Sequence, residues 1–582
     1  MMLRLVRAAA LLGMLFPAFA NAALAQSHAS GVVAFEALAS EFFEGEFRYS
    51  PSNATALGEH RFDAQLDDRS AQAILAHVDR IHGYLARLGE IDRNLLPPET
   101  ALDAALLGDH LNDLLLGEET MGSWRRNADD YVQIADGSVF ELIKRDFAPQ
   151  AERMRHAIAR ENEFPRLFSQ ARENLTSVDG VTARLAERDA ESSLDLITAT
   201  VPAAFAQVRD AGLRAEFARS TQRAAAALAA YRGWLAQGFV LHPSGTFAIG
   251  AQNYHAMLQY EEHVDLPLDE YLSIGENALA QTSAQAAAVA KAIDPKAATG
   301  RVFEEVARNR PQANGVIAAA ESDLVRLRAF VLERHLISLP PDADIHVTAA
   351  PPFLRETEIA SMDAPGPLEQ GATRAFYNVT PPNPKWPKAE IDAFLGASFN
   401  DFERPLTSAH EVYPGHYTNY IIDRHLPLSL TRKLLESSSF VEGWAHYGEQ
   451  MIVDEGWGNG DPRVRLAQLQ DALLRECRFV AGVKMHTGKM TFAQAERFFR
   501  ESGFQSAATA RIEATRATQD PIFGYYTLGK LEILKLREDY RKKLGADFTL
   551  QRFHDALLAH GDPPIPLLRP LLLGAADDGK PL

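Results

Sequence analysis

The sequence predicts a mainly α-helical protein with a small β-sheet, and three observations carry that prediction. Long stretches are dominated by Ala, Leu, Glu, Arg and Gln, all good helix formers. Apolar residues within those stretches recur at helical spacing. A single region breaks this rhythm with apolar–polar alternation and clustered prolines, and the sheet is expected there.

Taken in chain order, Ala101–Leu116 places Leu102, Leu106, Leu111, Leu114 and Leu115 near one helical face. Thr221–Leu235 and Tyr271–Ala292 read the same way, the second Ala-rich enough for close packing. Val464–Phe479 and Leu528–Leu544 are strong amphipathic helices. Between them, Asp344–Ala350 alternates as a strand does. Pro351, Pro352, Asp363, Pro365 and Gly366 then mark a loop. Thr373–Val379, with Phe376, Tyr377 and Val379, is a second strand, ended by Pro381, Pro382, Pro384 and Pro387. Such a sheet can offer an edge to an extended peptide or can simply pack, and the pattern leaves both open. On the first reading Tyr377 and Asn378 become candidate substrate-binding residues. No long linker and no repeat of fixed period stands out.

The chain has 582 residues, 46% hydrophobic and 23% charged, enough to bury a large core. That excludes wholesale disorder and a disulfide-stapled mini-protein. The formal charge of -18 argues against nucleic acid or anionic lipid as the main partner. The one cysteine, Cys477, excludes an intrachain disulfide and a Cys-rich zinc cluster. Any metal is then held by histidines and carboxylates.

Met1–Arg7 carries two arginines and no acid, and Ala8–Ala20 is an apolar run too short to span a bilayer comfortably. Ala20-Asn21-Ala22 and Ala23-Leu24-Ala25 are cleavage patterns. A signal peptide over 1–25 is expected, leaving Gln26 first; an uncleaved anchor is the alternative. No cysteine at the junction offers a lipid anchor. The expectation is an exported protein, periplasmic or secreted, without a stable membrane anchor. Its remaining residues, 26–582, form one domain, divided if at all into a helical lobe (about 26–340) and a metal-site lobe (about 341–582).

The chemistry is concentrated between His410 and Glu449. The run Ser408-Ala409-His410-Glu411-Val412-Tyr413-Pro414-Gly415-His416-Tyr417 opens with a His-Glu pair. In H-E-x-x-H zinc sites, two histidines at i and i+4 share a helix face and the Glu serves as general base. Here the second histidine is at i+6, about 240° around an unbroken helix. Pro414-Gly415 supplies a remedy, since Pro disrupts a helix and Gly tolerates unusual dihedrals. Looping out two residues returns His416 to the face of His410. Surface histidines on a helix–turn are the plainer alternative. Further on, Glu442, His446 and Glu449 lie at i, i+4 and i+7, near one face of one helix. Phe440, Val441, Trp444 and Ala445 give Glu442 apolar surroundings, in which an ionised carboxylate needs a partner or a metal.

His410-Glu411-x-Tyr413-Pro414-Gly415-His416, together with Glu442-Gly443-Trp444-Ala445, resembles the domain-of-unknown-function 885 family, placed among zincin-like metallopeptidases. The resemblance extends to Pro51–Asp63, Ala375-Phe376-Tyr377-Asn378, Lys484-Met485-His486-Thr487-Gly488 and Tyr526-Thr527-Leu528-Gly529-Lys530-Leu531. It implies a large helical zincin-like fold with the site in a deep cleft. It also implies one zinc ion on His410, His416 and Glu442, with Glu411 as base. Many members carry a second histidine directly after Pro-Gly-His; here that position is Tyr417.

Other candidates rank by chemistry. Tyr526 can donate to the oxyanion of a tetrahedral intermediate. His486 can do so as an imidazolium, although a lone histidine is more often structural. Arg516 can bind a substrate carboxylate through its planar fork, or serve as an ion-pair partner. Tyr413 and Tyr417 lie close to the ligands, and Asp423 and Glu436 read as surface charges. Ser437-Ser438-Ser439 reads as a helix cap. No Gly-x-Ser-x-Gly elbow and no phosphate-binding Gly-rich loop appears. The expected function is that of a zinc peptidase acting on short or unfolded peptides. The alternatives are a zinc amidase on a non-peptide amide and a non-catalytic helical binding protein. Glu411 beside His410 speaks against the last, because a structural site needs no base.

Overall fold

Helices dominate the computed structural model, which describes residues 30–341, 344–351, 355 and 358–582. The expected signal peptide, 1–25, lies outside the described residues. Each expected helix is present, and most are longer than their periodicity shows. The principal ones before the sheet are α1 (Pro98–Leu115), α2 (Gln150–Asn174), α3 (Ala211–Leu235), α4 (Leu268–Ile293) and α5 (Val316–Glu333). Leu102, Leu106 and Leu111 of α1 are buried as their spacing predicts, whereas Leu114 and Leu115 are half-buried. Helix α3 begins ten residues before Thr221, where Asp210 accepts a hydrogen bond from the Leu213 amide. Its first turns bury only Leu213, Phe217 and Ser220 among charged neighbours, which hides the apolar stripe.

Three strands form one sheet: β1 (Ile345–Ala349), β2 (Ala360–Asp363) and β3 (Ala375–Val379), in the order β1-β3-β2. β3 runs parallel to β1 and antiparallel to β2. β2 lies inside the stretch read as loop; it is four residues long and ends at Asp363, just before Pro365 and Gly366. It changes the meaning of β3. That strand is central and has no free edge, so any edge open to a peptide belongs to β1 or β2.

The helices after the sheet build the site: α6 (Arg404–Glu411), α7 (His416–Asp423), α8 (Ser438–Asp454), α9 (Pro462–His486), α10 (Ala507–Gln519) and α11 (Tyr525–Leu544). Two crossings need glycine. A Cβ on Gly529 of α11 would lie 1.7 Å from the Ser439 carbonyl oxygen of α8, and one on Gly443 of α8 would lie 2.5 Å from the Gly529 Cα. The backbones of α8 and α11 therefore touch. α4 crosses α9 where a Cβ on Gly275 would strike the Phe479 ring at 2.2 Å. One hydrophobic cluster is drawn from residues 66–235 alone, and the largest gathers residues 286–573 with Leu102. α4 and α5, placed by the sequence with a first lobe ending near 340, thus pack with the metal-site elements. No helix among the described residues is long and apolar enough to cross a membrane.

Candidate metal centre

The histidine spacing is resolved at the break between α6 and α7. The Gly415 amide donates to the Ala409 carbonyl at 2.8 Å and the Thr418 amide to the Val412 carbonyl at 3.1 Å. Both bonds reach back six residues instead of four, so two residues are looped out. A Cβ on Gly415 would fall 1.7 Å from the His410 carbonyl oxygen, which no side chain survives. Trp444 Nε1 donates to the Pro414 carbonyl at 2.8 Å and ties the loop to α8. As a result the His410 and His416 rings stand 4.7 Å apart, centroid to centroid, nearly perpendicular.

Helix α8 supplies the third donor. Ser437 caps it, accepting from the Phe440 amide at 3.2 Å while its hydroxyl donates to Glu262 at 2.6 Å. One turn in, Glu442 Oε2 lies 3.2 Å from His410 Nε2 and 3.5 Å from His416 Nε2. This oxygen is buried, yet it receives no hydrogen bond from either nitrogen. One donor atom from each of the three residues lies within 4.8 Å of the others, the one such His/Cys/Asp/Glu group among the described residues. Two imidazole nitrogens and a carboxylate oxygen, with an orphaned buried oxygen among them, fit a zinc-type donor set. Burial pushes the His410 imidazole down, but the Glu442 and Glu449 carboxylates outweigh it and hold it up at about 10. Burial likewise opposes charge on Glu442, and the two histidines still hold it well below the usual carboxylate range.

A second layer fixes His410. Its Nδ1 lies 2.8 Å from Glu449 Oε1, which also receives Arg475 at 2.9 Å. His446 Nδ1 lies 3.2 Å from Glu449 Oε2. His446 is not among the three clustered donors: fully buried, it meets the other oxygen of that carboxylate. The i, i+7 placement of Glu449 was visible in the sequence. Arg475 was not, because nothing local distinguishes it from the other charges of α9.

Glu411 ends α6, is 8% exposed, and makes no hydrogen bond or ion pair among the described residues. Tyr526, at the start of α11, is nearly buried and its hydroxyl has no partner among the described residues. Burial, then the nearby Glu442 charge, pushes its pKa up, so it stays a neutral donor. The Arg475 and Arg478 guanidiniums lie 5.6 and 4.9 Å from its ring centroid. Arg516 of α10 is partly exposed over Phe523, 3.9 Å from Glu513, and its charge reaches Tyr526 and Glu358.

Three expected residues are not brought to the centre. His486 is wholly buried at the end of α9, about 16 Å along the helix from Arg475. Its Nε2 bonds the Ala517 carbonyl at 2.7 Å, and burial lowers its pKa to about 4, so it is a neutral packing residue and not an imidazolium. Tyr377 is fully buried beneath α6, its hydroxyl 3.2 Å from Ser408 Oγ. Asn378 is 6% exposed and turned to Ser361 of β2. Both serve the sheet, because β3 is its central strand.

These features define a mainly helical protein in which a broken helix and its neighbour converge on a two-histidine, one-carboxylate centre. The chain belongs to the family described as "Bacterial protein of unknown function (DUF885)", which matches residues 51–572. It is similar in fold to a solved structure titled a "putative lipoprotein of unknown function" from Shewanella oneidensis, with 23% identity, 93% of this chain and 99% of that one covered, and a TM-score of 0.78. It is also similar to one titled a "putative lipoprotein" from Colwellia psychrerythraea, with 16% identity, 95% and 100% covered, and a TM-score of 0.79. No curated protein matches the chain.

Proposed function

We propose that this protein is an exported, zincin-like zinc peptidase that hydrolyses short or unfolded peptides in a cleft between helices. The observation that carries the reading is the convergence of His410, His416 and Glu442 within 4.8 Å around an unsatisfied buried carboxylate oxygen. His410, His416 and Glu442 would hold one zinc ion, which when bound supplies Lewis acidity toward a water molecule and the scissile carbonyl.

The remaining chemistry belongs to the chain. Glu411 follows ligand His410 directly and has no competing partner among the described residues, so it accepts the proton of the attacking water and returns it to the leaving amine. Tyr526, kept neutral, donates its hydroxyl proton in a hydrogen bond to the developing oxyanion. Glu449, anchored by Arg475 and His446, holds His410 with its Nε2 toward the centre. β2 contacts α6 and keeps an outer edge, which gives an extended peptide a strand to pair with. Arg516 is the group for a substrate carboxylate. Export rests on the N-terminal segment 1–25.

Metal analysis of the purified protein, paired with cleavage of a mixed peptide library read by mass spectrometry, tests this reading. About one zinc per chain is expected, lost in His410→Ala, His416→Ala and Glu442→Ala, together with cleavage of peptide bonds. A metal-loaded protein that cleaves no peptide but hydrolyses other amides favours the amidase. Full zinc occupancy in His416→Ala shows the ligand set to be wrong.

A further inference from the structure

Next to the candidate metal centre lies a group of carboxylates without a lysine or arginine partner among the described residues. Helix α7 carries His416, Asn419 and Asp423 at i, i+3 and i+7, so the three line one face. Asn419 Nδ2 donates to Asp562 Oδ1 at 2.8 Å. Asn419 is 4% exposed, and its Oδ1 is buried without a partner among the described residues. Asp423 Oδ1 is a second buried oxygen without a partner among the described residues. Glu436, in the turn before the Ser437 cap of α8, is exposed, and its charge acts on His416, Glu442, Asp423 and Asp562. No lysine or arginine among the described residues pairs with Asp423, Glu436 or Asp562.

Like charges this close need a counter-cation or a shared proton. Without a cation, burial and the Asp562 charge push Asp423 up, and burial and the Glu436 charge push Asp562 up. The proton is thus a stand-in that a better cation displaces. The unpaired oxygens of Asn419 and Asp423 are acceptors that a cationic donor would satisfy.

We propose that Asn419, Asp423, Glu436 and Asp562 form a subsite that takes a cationic group of the substrate, an ammonium or a guanidinium, beside the metal centre. The proposal deepens the peptidase reading and rests on it. Seven residues along α7 separate His416 from Asp423, about 10 Å, the span of about three extended residues. The cation therefore sits within about three residues of the scissile bond. Two sources carry the same chemistry: the α-ammonium of a short peptide and the side chain of an internal Lys or Arg.

The test measures binding in zinc-loaded Glu411→Gln protein, so that no turnover intervenes. Three hexapeptides of one sequence are titrated calorimetrically: one with a free N-terminus and no Lys or Arg, its N-acetylated form, and the acetylated form with one Lys. At least one cationic peptide is expected to bind about tenfold more tightly than the neutral one, the worth of a charge-assisted hydrogen bond; which one identifies the source. Adding Glu436→Gln, an exposed and isosteric change, should remove most of that preference. Equal affinity for all three, binding of none, or an undiminished preference in the double variant overturns the subsite. Cleavage of the same peptides by the wild-type enzyme is read separately: no cleavage with zinc bound sinks the peptidase reading, while a cation preference in binding still stands.

Discussion

Glu449 Oε1 lies 2.8 Å from His410 Nδ1, which assigns the Nδ1 proton to that contact and leaves Nε2 facing Glu442. The ring is therefore oriented before any metal arrives, its Nδ1 side engaged by Glu449 and its Nε2 side left toward the donor cluster. The carboxylate can do this because the Arg475 charge keeps it well below the usual carboxylate range against the cost of burial, while the buried His446 imidazole meets its other oxygen.

Removing that support should weaken the site without touching a ligand. Glu449→Gln keeps the shape but loses the charge, and zinc affinity is expected to fall about 10- to 100-fold. Competition with a chromophoric chelator measures it. Wild-type affinity in a folded variant shows that Glu449 does not position His410.

The looped-out break makes a stricter demand. Gly415→Ala places a methyl group 1.7 Å from the His410 carbonyl oxygen, backbone against backbone. The helices have to separate, at a cost of about 1–3 kcal/mol or more. Lower thermal stability and loss of bound zinc are expected together. Normal zinc content and an unchanged Tm contradict the account of this spacing.

How much of this was legible varies with its physical origin. The principal helices could be read because burial of one face writes a period into the sequence. α9 runs on to His486 unseen past Phe479, because Val480–Met485 is nearly all apolar and shows no face. The two histidines could be read as partners because Pro414-Gly415 announces a break. Tyr377 could not be placed: alternation shows that a strand has two faces but not which of them meets α6, and the partner strand β2 is too short to signal itself. His486 stood in a distinctive block, but the length of α9 decides its distance from the site.

The buried His486 leads to a pH dependence. Unfolded, its imidazole has the ordinary value of 6.5; folded, burial lowers it to about 4. The unfolded chain thus binds a proton that the native one refuses. This residue costs no stability above 6.5, and a penalty grows as pH falls, reaching on the order of 3 kcal/mol by about pH 4. His486→Gln should show a shallower loss of stability over that window in denaturant titrations at fixed pH. Equal slopes for the two proteins would falsify the neutral packing role.

Tyr526 carries a prediction that separates it from packing. Tyr526→Phe keeps the ring between the arginines and loses only the hydroxyl. If that hydroxyl steadies the oxyanion, kcat should fall about 10²-fold with KM and zinc content nearly unchanged. Unchanged kcat makes Tyr526 a structural residue.

In the proposed mechanism Glu411 works as a base beside a metal it does not bind. Glu411→Gln preserves the side-chain shape and replaces no ligand. Zinc content and peptide turnover, measured on one preparation, are expected to diverge: zinc near one per chain, turnover down by about 10²–10⁴-fold. Full turnover with zinc retained contradicts the mechanism outright, and loss of zinc with turnover makes Glu411 part of the metal's own support.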